Sequence, residues 1–109
     1  MSFISANLKA ITDAMLGGGQ AWVDVKASRA INTIYTNNTL KPIFVSITLN
    51  ASSGVYSTPN FYADGIIVGG SNGGDNRGGK TMTYPVKVGG TYQVTVSGSL
   101  TISKYVEFR

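Results

Sequence analysis

The sequence contains no cysteine and no histidine. The first absence excludes disulfides, thiolate nucleophiles and zinc sites built on Cys. The second removes the side chain most used for proton transfer near neutral pH. Charge is also scarce, with Asp, Glu, Lys and Arg making up 13% of 109 residues. The nine cations give a formal net charge of +4, but they are scattered from Lys9 to Arg109, whereas a nucleic-acid footprint clusters them. No nucleic-acid partner is expected. No stretch approaches the length of a membrane span, and the first residues lack the basic start and unbroken apolar core of a signal peptide. The expectation is a protein made and assembled in a cytoplasm, without membrane insertion. Carboxylates number five: Asp13, Asp24, Asp64, Asp75 and Glu107. A glycosidase needs two across a cleft, and no spacing pairs any two. Asp24 and Glu107 can meet if the first and last strands are neighbours, and Arg29 and Arg109 are then available to neutralise them in salt bridges. No catalytic residue, cofactor site or metal site is read from the chain.

What is abundant is the material of turns and strands: 14 Gly and 3 Pro, with many Thr, Ser, Val and Tyr. The length suits one domain near the size at which oligomerisation helps. Residues 43–49 organise the rest. Ile43, Val45, Ile47 and Leu49 alternate with Phe44, Ser46 and Thr48, the period of a half-buried strand, and Pro42 precedes it. Further strands are read at 20–25, which carries the sole tryptophan, Trp22, expected in the core, and at 31–36. Residues 61–63 and 66–68 flank Asp64-Gly65, a two-residue hairpin signal. Residues 81–88 form a strand interrupted by Pro85, which makes it an edge strand or bends it at that point. In 91–97, Tyr92, Val94 and Val96 share one face. In the last strand the alternation places Leu100, Ile102, Val106 and Phe108 with Lys104 on one face, and Tyr105 and Glu107 on the other. Residues 51–59 read as a polar connection, with Val55 and Tyr56 as a candidate short strand. About eight short strands predict an all-β protein, a jelly-roll-like antiparallel β-sandwich, with a barrel as the alternative.

Residues 2–16 read as a single short helix. Ile4, Leu8, Ile11 and Met15 form one apolar stripe, and Gly17, Gly18 and Gly19 make a joint. The chain therefore divides into an anchoring or oligomerisation helix with its joint, 1–19, and a sandwich domain, 20–109. A helix this short needs something to dock on: symmetry mates, a neighbour, or its own domain.

Residues 74–81, GDNRGGKT, match the phosphate-loop pattern, but that loop needs a helix starting at its Lys-Thr. Here TMTYPVKV follows, so the match is read as spurious. The better functional lead is aromatic and loop chemistry. Tyr and Phe residues lie on strands or beside loops, and Tyr with Asn, Ser and Gly makes an adaptable contact surface. Tyr56, Tyr62, Asn72, Asp75, Asn76 and Arg77 are the candidate ligand-contact residues.

Trp22, Asp24, Val25, Ser28 and Arg29, then Tyr35, Thr36, Asn37, Pro42, Ile43, Val45 and Ser46, resemble the markers of a module at the C-terminal end of bacteriophage tail-fibre proteins. Asp64-Gly65 stands in place of that family's Asn-Gly turn. Residues 92–97 and 102–109 resemble its closing strands, with Tyr105 in place of a Trp before Glu107 and Arg109. The family module ends a long fibre, whereas this chain opens on Met1 and a short helix. The resemblance implies a non-enzymatic virion protein and a homotrimer at the particle surface, held to other virion proteins of tail or capsid and contacting host glycan or protein. A capsid decoration protein is the alternative, and a carbohydrate-binding module a more distant one.

Overall fold

The computed structural model describes residues 17–50, 58–70, 80–97 and 100–109. The proposed helix with Ile4, Leu8, Ile11 and Met15 lies outside the described residues. Among the described residues, eight strands form two four-stranded antiparallel sheets. They are β1 (Trp22–Asp24), β2 (Tyr35–Thr36), β3 (Ile43–Asn50), β4 (Thr58–Ala63), β5 (Ile66–Gly70), β6 (Lys80–Val86), β7 (Thr91–Ser97) and β8 (Thr101–Phe108). Sheet A has the order β1-β8-β3-β6 and sheet B the order β2-β7-β4-β5. The chain is in effect folded in half at Asp64-Gly65. Beyond that hairpin β4 pairs with β5, β3 with β6, β2 with β7 and β1 with β8. The β8·β3 and β7·β4 pairings complete the two sheets.

The hairpin forms for the reason the sequence gives, since Asp64 and Gly65 both take positive φ (52° and 79°), as a two-residue primed turn requires. Pro85 lies on β6, an edge of sheet A, where a missing N–H leaves no interior ladder bond unmade. In β3 the alternation is complete. Ile43, Val45, Ile47 and Leu49 are buried and join Phe61, Tyr92, Val94 and Tyr105 in one core between the sheets.

Four expectations are corrected. Residues 31–36 supply only the two-residue β2, because Asn32 takes a positive φ of 65° in a turn. β4 begins at Thr58, so Pro59 belongs to a strand and not to a connection. Trp22 is not in the core: its side chain lies on the outer face of sheet A and is 55% exposed. The last strand also does not keep one face throughout. Thr48 pairs with Lys104, but Leu49 pairs with Ile102. Ser103 is therefore an extra residue, a β-bulge that shifts the alternation by one. Leu100 and Ile102 pack on the core before the bulge; after it Tyr105 and Glu107 point inward, while Val106 and Phe108 point outward.

Candidate interaction surfaces and the buried polar network

The bulge turns Glu107 into the core, where it is 1% exposed and level with Val45. A carboxylate there is costly unless it is paired and hydrogen-bonded. Asp24 begins the solution. Its Oδ1 accepts the Lys26 N–H at 3.0 Å, launching a 3-10 turn over Lys26–Ser28 that carries the chain from sheet A towards sheet B. Val25 anchors that turn in the core. Arg29 emerges from it and donates to both oxygens of Glu107, Nε to Oε2 at 3.0 Å and a terminal nitrogen to Oε1 at 3.2 Å. Arg109 Nε lies 3.7 Å from Oε1. From sheet B the Tyr92 hydroxyl donates to Oε2. The Arg29 guanidinium also lies over the Tyr35 ring at 4.7 Å, worth about 0.5–2 kcal/mol, and the Tyr35 and Tyr92 rings pack at 5.7 Å.

Burial alone lowers the Arg29 pKa, but the hydrogen bonds to Glu107 and Tyr92 and the Glu107 charge outweigh it and the net shift is upward. Burial is also the main force pushing the Tyr92 and Tyr105 hydroxyls well above the usual phenol range, reinforced at Tyr92 by its bond to Glu107. The Tyr105 hydroxyl is buried with no hydrogen-bond partner among the described residues. Beside this network a cleft of about 80 Å³ reaches Thr36, Asn38 and Thr39, well below the roughly 300–1,000 Å³ of a small-molecule site. The arrangement can cross-link two sheets through one carboxylate.

Asn37 makes a second staple. Its amide donates to the carbonyls of Lys41, Val86 and Lys87, and its Oδ1 accepts from Thr39. The 37–41 loop and the 87–90 turn are thereby fixed together at the end of the sandwich where Gly17 enters. The Gln20 amide bonds to the carbonyls of Pro42 and Phe108 there, and Lys41 donates to the Gly18 carbonyl. At the opposite end lie Asn50, Thr58, Gly70, Lys80, Ser97 and Thr101. These residues flank connections 51–57, 71–79 and 98–99.

No family model, curated protein or solved structure matches this chain. Its surfaces are accordingly interpreted from their own chemistry. Of the sequence candidates, Tyr56, Asn72, Asp75, Asn76 and Arg77 lie outside the described residues, although the topology puts the ends of their segments at the end opposite Gly17. Tyr62 is described, and it is not in a loop: it sits on β4, an interior strand, facing outward beside Ile34 and Gln93. The phosphate-loop match meets a strand where it needs a helix, since Lys80 and Thr81 pair with Leu49 and Thr48. Among the described residues no group of three His, Cys, Asp or Glu comes together as a metal site.

Composition did not reveal the distribution of exposed apolar groups. Among the described residues the large exposed hydrophobic ones are Trp22, Ile34, Leu40, Ile66, Ile67, Val68 and Val88, and these belong to the half of the sandwich nearer Gly17. Leu40, 91% exposed, and Val88 are on the two stapled loops. Trp22 begins a row that crosses sheet A through Phe108 and Phe44 to Pro85, one residue from each strand. The far half presents Ser46, Thr48, Thr81 and Thr83 on the same face, with the hydroxyls paired at 2.8–2.9 Å.

Proposed function

We propose that this chain is a non-enzymatic structural protein of a tailed-phage virion, a homotrimeric jelly-roll module fixed to the particle by its Gly17 end, with its opposite loops turned outward to contact the host. The observation that carries the reading is the polarity of the sandwich. Among the described residues, exposed apolar side chains gather at the end where residues 1–16 join, as a surface seeking partners does, while the paired hydroxyls and the ends of connections 51–57 and 71–79 lie at the other. The jelly-roll assignment is supported by strand orders 1-8-3-6 and 2-7-4-5, the pattern of a double-stranded ribbon wound into two Greek keys. The phage reading rests on the resemblance, whose polar markers act together here: Asp24, Ser28, Arg29, Tyr35, Asn37 and Glu107 all serve the turn, network and staple that hold the sheets.

The test uses the absence of native cysteine. Thr101→Cys at the far end and Leu40→Cys at the near end are each introduced and the purified particles treated with a maleimide. The reading expects Thr101→Cys to label and Leu40→Cys to be protected. The reverse pattern overturns the orientation, and absence of the chain from purified particles overturns the virion role. Counting copies per particle separates a fibre tip, at a few trimers, from a decoration protein at tens or hundreds.

A further inference from the structure

We infer that residues 17–20 form a rigid strap, held by the Gln20 side chain, that fixes the point and the direction in which residues 1–16 leave the sandwich. Gly17, Gly18 and Gly19 read from sequence as a joint, and three unrestrained glycines behave as a free linker. In the folded chain they are bonded at both ends and from the side. The inference stands on these contacts and does not depend on the virion reading.

The strap is short. Ala21 and Arg109 exchange both backbone hydrogen bonds, at 3.2 and 3.0 Å, so the β1–β8 ladder runs one pair beyond Trp22 and Phe108, and only residues 17–20 lie between it and residues 1–16. Gln20 bonds in two directions. Its Oε1 accepts the Gly17 N–H, while its Nε2 donates to the Pro42 carbonyl at 2.9 Å and to the Phe108 carbonyl at 3.4 Å. One amide thereby ties the far end of the strap to the entry of β3 and the end of β8, which are neighbours in sheet A. From the side, the Lys41 ammonium donates to the Gly18 carbonyl. Gly17 and Gly19 take φ of 93° and 72°, a left-handed conformation that glycine enters without the strain a Cβ brings. The glycines here serve a bend of defined shape.

The anchors of the strap are themselves fixed. The Lys41 carbonyl accepts from the Asn37 amide and the Thr39 hydroxyl, each at 2.8 Å. Asn37 is buried and also donates to the carbonyls of Val86 and Lys87. Pro42 directly precedes β3, whose first residue, Ile43, is buried in the core. A displacement applied at Gly17 therefore reaches sheet A through Gln20, and the 87–90 turn through Lys41 and Asn37, without crossing a free joint. Any one of these hydrogen bonds is modest. Their concentration on four residues, against partners that cannot yield, is what makes the strap rigid. A partner that held residues 1–16 would carry the sandwich at one set angle.

Backbone ¹⁵N relaxation on the full chain tests this, through the N–H order parameters of Gly17, Gly18 and Gly19, with Val45 in β3 as the internal standard and circular dichroism as the check on folding. A rigid backbone gives about 0.85 and a flexible one less than about 0.6. Expected for the unaltered chain are three glycine values level with that of Val45. In Gln20→Ala they should fall below about 0.6 while Val45 keeps its value. If Gln20→Ala does not fold, Lys41→Ala replaces it, removing the contact to the Gly18 carbonyl while leaving the Lys41 backbone in place, with the same fall expected at Gly18. Glycine values below about 0.6 in the unaltered chain overturn the strap and restore the free joint. Glycine values in the folded variant that match those of the unaltered chain overturn the assignment of these side chains as what holds it.

Discussion

The two halves of the sandwich share one apolar core but differ in the polar groups they bury and the side chains they expose. In the far half Ile47, Leu49, Phe61, Met82 and Val94 fill the interior, and Ser46, Thr48, Thr81 and Thr83 face outward with their hydroxyls paired. In the near half the interior holds, beside Val25, Ile43, Val45, Val86 and Tyr92, both of the buried polar or charged residues among those described, Asn37 and Glu107, and the exterior carries Trp22, Phe108, Phe44, Ile34 and Ile67. The far half follows the ordinary rule of apolar inside and polar outside. The near half adds two buried polar groups to its apolar interior and an apolar row to its exterior, and the two additions are connected. A single bulge at Ser103 sends Glu107 in and Phe108 out. A fully paired buried carboxylate fixes the geometry of the end that carries the exposed apolar residues.

The comparison breaks most sharply at Glu107. Glu107→Ala leaves Arg29 without its partner beside the core, and truncating one member of a buried pair costs about 3–5 kcal/mol; a urea midpoint within error of the unaltered protein would make the network dispensable. In the far half, Ile47→Ala should cost about 2–5 kcal/mol through a cavity at a fully buried site, with no change in pH dependence. An effect near zero would put the inward face of β3 on the wrong side.

Tyr92→Phe sharpens the contrast within the network. Losing a hydrogen bond to a charged acceptor should cost about 1.5–3 kcal/mol, whereas Tyr105→Phe removes a hydroxyl that has no partner among the described residues and should change stability by less than about 0.5 kcal/mol. Equal losses would mean that the Tyr105 hydroxyl is bonded after all. Because the folded-state pKa values of both tyrosines are raised, their contribution is fully present below the ordinary phenol value of about 10 and is lost as pH climbs above it. Urea midpoints should be level through neutral pH and fall in the alkaline range, less steeply in Tyr92→Phe. The smallest effect expected is Thr83→Ala, which breaks one exposed cross-strand hydroxyl pair and should cost roughly 0.2–1 kcal/mol.

Local chemistry made much of the fold legible. The Asp64-Gly65 turn, the alternation of β3 and the confinement of Pro85 to an edge each follow from a backbone requirement that only certain residues meet. The faces of β1 and β8 were not legible, because periodicity assumes an unbroken count and apolar residues are taken as inward. One extra residue, Ser103, defeats the first assumption, and an outer row of Trp22, Phe108 and Phe44 defeats the second. A signal for Glu107 was present, in the availability of Arg29 and Arg109 to neutralise it. Nothing in the spacing showed that Tyr92, from the other sheet, would complete the site. Tyr62, expected as a contact residue among loop candidates, lies on an outward strand face, because Tyr suits loops and strand faces alike.

Trp22 is the only tryptophan and stands in the near-half outer row, so its quenching by acrylamide across a dilution series tests most directly the claim that this apolar exterior is an interface. Trp22 should be shielded at concentrations where the protein is oligomeric and become accessible on dilution to monomer, in step with the change in mass measured on the same samples. Equal accessibility throughout, while the mass changes, would contradict the account.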